Sequence, residues 1–63
     1  MKIEPQARYT DGSPAWQGDE VRVIDTGENA YLRVIGERGH VTVYHPDWSE
    51  ARVYHISEIA KRA

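Results

Sequence analysis

The sequence has no cysteine, only 12 Ile, Leu and Val among its 63 residues, and no apolar run near the roughly 20 residues that cross a bilayer. Without cysteine there are no disulfides, thiolate zinc sites or cysteine nucleophiles, so stability must come from packing or from association with another chain. The opening Met1-Lys2-Ile3-Glu4-Pro5 lacks the apolar stretch of a signal peptide. The expectation is a cytoplasmic, soluble chain with no membrane partner. Charge of one sign is also missing: eight Lys plus Arg against ten Asp plus Glu give −2. That balance excludes coating a long polyanion by bulk electrostatics, which normally takes a strongly basic domain.

What is present is clustered. Residues 1–8 read as a flexible N-terminal tail and 9–63 as one small domain, since a chain this short leaves no room for a second core. Up to residue 19, Pro5, Gly12, Pro14 and Gly18 with few aliphatics give a turn-rich lead-in, with Tyr9 and Trp16 as exceptions. Then come four short runs of strand formers: Val21–Ile24, Tyr31–Ile35, Val41–Tyr44 and Arg52–Ile56. The gaps carry turn chemistry in Asp25-Thr26-Gly27-Glu28-Asn29, Gly36-Glu37-Arg38-Gly39 and Pro46-Asp47. Gaps this short pair neighbours antiparallel, because a parallel crossover takes a dozen or more residues. At the end, Ser57 as cap, Glu58 in the first turn and Lys61-Arg62 at the close predict one helical turn.

Four short strands are too few for a sandwich and suit a small bent sheet or barrel, so the predicted class is all-β. The order resembles an SH3-like barrel of four to five strands with a short C-terminal helical turn. The opening Tyr9, Asp11-Gly12, Pro14, Gly18-Asp19 and Val21-Arg22 also resembles small bacterial and phage proteins of that fold, and the pattern is loosely similar to the KOW group. The latter resemblance implies contacts with nucleic acid or protein.

Period-two alternation sorts the strands into two faces. Val21, Val23, Leu32, Val34, Val41, Val43 and Val53 form the predicted inner set, closed by Ile56 and Ile59. Opposite them fall Arg22, Tyr31, Arg33, Ile35, His40, Thr42, Tyr44, Arg52 and Tyr54. Three arginines and three tyrosines on one face suggest a binding surface, because arginine pairs with carboxylate or phosphate and stacks on rings while tyrosine offers a rigid platform. The plainer alternative is a solvated face whose long side chains cover the sheet. Of the two tryptophans, Trp48 in the Pro46–Glu50 tip is expected to be the more exposed and Trp16 to cover the barrel.

Chemistry is sparse. His40, His45 and His55 fall at differing strand phases without His-x-x-x-His spacing, which predicts no metal site and leaves only a pH-sensitive surface. No P-loop or nucleophile elbow is present, and about nine core side chains leave little room for a pocket, so no catalytic residue and no cofactor are predicted. Ala51-Arg52-Val53-Tyr54 is similar in placement to the Val-Gln-Ile-Tyr segment of the type II dihydrofolate reductases, SH3-like tetramers that bind nicotinamide and folate in a central pore. Arginine at the glutamine position would crowd like charge around such a pore.

The expected function is therefore a non-enzymatic binding module. A protein partner is favoured and a short nucleic-acid segment is the other possibility, met by Arg22, Tyr31, Arg33, Tyr44, Trp48, Arg52 and Tyr54. The alternative is a phage- or plasmid-type accessory subunit that self-associates or pairs a strand such as Val41–Tyr44 with a host protein. Acids Asp11, Asp19, Asp25, Glu28, Glu37, Asp47 and Glu50 lie in the predicted loops, while Arg22, Arg33 and Arg52 lie in strands. The near-neutral total thus hides two populations, and a short acidic or anionic segment on the arginine face remains compatible with it.

Overall fold

The computed structural model describes residues 4–62; residues 1–3 of the expected tail, and Ala63, lie outside them. Seven strands form in chain order: β1 (Ala7–Arg8), β2 (Pro14–Ala15), β3 (Glu20–Val23), β4 (Asn29–Ile35), β5 (His40–Tyr44), β6 (Arg52–His55) and β7 (Ile59–Lys61). β1 and β2 pair as a small hairpin within the lead-in. The other five make one antiparallel sheet in the order β6-β5-β4-β3-β7. The protein is all-β and antiparallel, as the short turn-bearing gaps predict. Its sheet is not closed into a barrel, because β6 and β7 stand at its two edges.

Connectivity nonetheless forces the sheet to bend. Edges of five flat strands would lie about 19 Å apart at a spacing of about 4.8 Å. From His55 at the end of β6 to Ile59 at the start of β7 the chain has only the three-residue 3-10 turn Ile56–Glu58, and four extended residue steps reach at most about 14 Å. The concave side of this bent sheet holds the core: Val21, Val23, Ala30, Leu32, Ile35, Val41, Val43 and Ile59, with Tyr9 and Ala15 from the lead-in.

Three expectations change. The closing helix over Ser57–Arg62 is instead the 3-10 turn followed by β7, paired to β3 through Val23 and Ile59, both buried. Burying Ile59 in a strand outweighs a charge pattern spread over too few residues to nucleate a helix. His55 caps the turn in place of Ser57: its Nδ1 accepts from the Ser57 N–H at 3.2 Å, and the Glu58 carboxylate accepts from the His55 N–H at 2.8 Å.

Second, Val34 is exposed and Ile35 buried, the reverse of simple alternation. A β-bulge is the cause, since pairing passes from Leu32 with Val43 to Val34 with Thr42 and leaves Arg33 as the extra residue. Third, Val53 is 66% exposed and faces away from the core. The β5–β6 register sets it against Thr42, while Tyr54 lies opposite buried Val41. Tyr54 and Ile56 are partly buried and pack on the core cluster.

The lead-in is anchored by Tyr9, 3% exposed, whose hydroxyl donates to Asp19 Oδ2 at 2.8 Å. The same oxygen accepts from the Trp16 N–H at 3.0 Å, so one carboxylate ties the hairpin to the start of β3. Burial, and then Asp19 beside it, push the Tyr9 hydroxyl pKa well above its ordinary value.

Candidate binding surface

The convex side of the sheet carries the first group of candidate side chains. Tyr31 on β4 lies directly opposite Tyr44 on β5, with ring centroids 6.0 Å apart and the planes tilted by 42°. Arg33 stays on this same side, where alternation from Tyr31 places it, and its guanidinium carbon sits 5.1 Å from the centre of the Tyr44 ring; the bulge after it turns Val34 out and Ile35 in.

Beside the rings runs the turn that precedes β3. The Gly18 N–H donates to the Leu32 carbonyl at 2.7 Å and Gln17 Nε2 to the Arg33 carbonyl at 3.2 Å. Gly18, Tyr31, Leu32, Arg33 and Tyr44 together line a shallow concavity of about 360 Å³. Trp16 from the same turn is 40% exposed. No carboxylate stands within ion-pair distance of Arg33 among the described residues. Arg22 is exposed on β3, opposite Asn29 and Ala60, on the same side but in a neighbouring row.

Arg52, Tyr54 and Trp48 do not join that group. Arg52 pairs with buried Val43, and directly opposed residues share a face, so Arg52 and Tyr54 both turn toward the concave side. There the Arg52 Nη1 donates to Glu28 Oε1 at 3.0 Å, and its guanidinium carbon lies 4.0 Å from the Trp48 ring centre. The neighbouring Tyr54 hydroxyl and then Glu28 hold the Arg52 pKa above its ordinary value. The Thr26 hydroxyl and then Arg52 hold the Glu28 carboxyl below its own.

Trp48 is half-buried against the core, so the expected roles of the two tryptophans are exchanged. The Trp48 N–H donates to the His45 carbonyl at 2.9 Å, a tight turn that folds the ring back under Arg52. Glu28, Asn29, His45, Asp47 and Trp48 border a second concavity of about 410 Å³ at this loop end. One sheet face was expected; two separate regions exist.

Sequence reasoning missed Gln17 and Gly18 as parts of the convex site. The Gly18-Asp19 turn was visible as a turn, yet nothing local showed that it would lie along β4. The histidines spread out: His40 and His55 meet edge-on across β5 and β6 at 5.8 Å, while His45 lies 3.6 Å from Asp47. No group of three or more potential metal ligands gathers among the described residues, and no helix there is long and apolar enough to cross a membrane. No protein-family model, curated protein or solved structure matches the chain.

Proposed function

We propose that the chain is a non-enzymatic binding module that holds an extended, acidic segment of a protein partner across its convex face. The observation that carries this reading is Arg33, set over the Tyr44 ring and left without an acid among the described residues. An exposed arginine that neutralises a neighbour needs no further partner. One that is stacked, oriented and unpaired offers its free fork to an incoming carboxylate. Tyr31, Tyr44 and the adjoining Gly18 turn supply the apolar floor, rigid at low entropic cost.

The same reading includes an SH3-like arrangement. Support comes from the strand order β7-β3-β4-β5-β6, the 3-10 turn ahead of the last strand and the enforced bend. Titration of isotope-labelled protein with a short peptide of alternating glutamate and valine tests the proposal. Expected are salt-sensitive shifts at Tyr31, Arg33 and Tyr44, lost in Arg33→Ala. If a short oligothymidine moves these signals and the peptide does not, the partner is single-stranded nucleic acid, bound by base stacking on the tyrosines. If neither probe moves them, the convex face is not a binding site.

A further inference from the structure

Among the described residues, the unpaired strand backbone of this fold centres on β6. Val41–Tyr44, the segment expected to offer an open edge, is β5 and lies between β4 and β6. The edges are β6 and β7. β7 is three residues long and is followed directly by Arg62, with Lys61 at its end, the kind of charge that blunts an edge against pairing. β6 is guarded differently. Its one permanent charge, Arg52, is turned to the concave side and held by Glu28 and Trp48, and the strand has no proline and no bulge.

Two hydrogen bonds fix which backbone groups of β6 look outward. The His40 carbonyl accepts from the Gly36 N–H across the β4 side at 2.8 Å, so His40 turns its backbone away from β6. The His55 N–H is taken by Glu58 at 2.8 Å, outside the β5–β6 ladder. His40 and His55 are therefore a non-hydrogen-bonded pair, and by alternation Thr42 and Val53 are another. The N–H and C=O of Val53 thus point to the open edge, and its side chain, 66% exposed, extends the convex row Val34, Thr42, Val53.

We infer that β6 pairs antiparallel with β6 of a second copy about a twofold axis at Val53, joining the two sheets into one. The pairing is self-complementary, as a twofold contact must be. Val53 meets its own mate through two reciprocal backbone hydrogen bonds, and the exposed convex row Val34, Thr42, Val53 continues into the second copy. In this register Arg52 faces the partner's Tyr54 and Ala51 faces the partner's His55, so no two like permanent charges are opposed. The occupant is a second copy because the segment opposes no like charges to itself; the His55 N–H, already held by Glu58, stays outside the ladder, which rests on the Val53 pair. A four-residue ladder covers less than the roughly 800 Å² per partner of a standard interface, so the dimer is weak and concentration-dependent.

The inference stands apart from the convex-face reading. Sedimentation equilibrium of the whole chain, taken up to about 1 mM, tests it, since a dimer of millimolar affinity has half its chains paired there. The expected result is a rise in mass with concentration that Val53→Lys abolishes and Arg33→Ala leaves unchanged. Val53 is exposed, so Val53→Lys keeps the fold, which the amide spectrum checks. A monomer throughout overturns the inference. So does a dimer that survives Val53→Lys, or one whose concentration-dependent shifts fall at Tyr31 and Tyr44 instead of Ala51–His55.

Discussion

Arg33 and Arg52 are both strand arginines set against an aromatic ring, and they differ in everything else. Arg52 lies over a half-buried tryptophan and is paired with Glu28, so its charge, ring face and hydrogen bond are used within the chain. Arg33 lies over an exposed tyrosine and has no acid among the described residues. The first is structural: it ties the loop between β3 and β4 to β6 and to the loop ahead of it. The second is available. A residue type and a strand position therefore do not separate a fastener from a contact; the partners do.

The comparison can be broken in several ways. The largest effect is expected from Trp48→Ala, which opens the core at the loop end and costs about 2–3 kcal/mol, against less than about 1 kcal/mol for Tyr44→Ala. Denaturant unfolding of both variants checks this. Equal losses would place the two rings in equivalent roles. Arg52→Ala should lower the melting temperature by less than Trp48→Ala, and Arg33→Ala should leave it unchanged. The reverse order of the two arginines would undo the assignment.

The smallest effect is a pH dependence. Glu28 is held below its ordinary pKa in the folded chain, by Thr26 and then Arg52, so its contribution is full above the unfolded value and is lost as pH falls through the folded one. Acid unfolding of Glu28→Gln should thus be less steep at low pH than that of the parent chain, with no difference at neutral pH in slope. Tyr9 works the other way. Its proton is held in the fold, so stability is full below about pH 10 and falls as pH rises above that, a loss that Tyr9→Phe removes.

The sequence made the sheet legible wherever alternation was regular. Val21, Val23, Leu32, Val41 and Val43 are buried as the period of two requires, and the turn residues imposed antiparallel neighbours. It placed Arg33 on the outer side and was silent at Val34 and Ile35, because a bulge is a property of two strands together and no residue in Tyr31-Leu32-Arg33-Val34-Ile35 announces it. The inward turn of Arg52 and Tyr54 was equally hidden. Val53 was the aliphatic choice for the core, and only the register against Val41 and Val43 shows that its neighbours take that side. Trp48 depends on Arg52, four residues on at the start of β6, and on a turn that begins at His45; both lie outside Pro46–Glu50.

The pairing of β7 with β3 is the most distant in sequence of the sheet's strand pairings. β3, β4, β5 and β6 each meet their neighbour across a short loop, whereas Val23 and Ile59 pair with the whole meander between them in sequence. Closing that loop costs entropy that grows with its length. β7 thus acts as a clasp, and a chain still emerging during synthesis would carry Val21 and Val23 on an uncovered edge until Ile59 arrives.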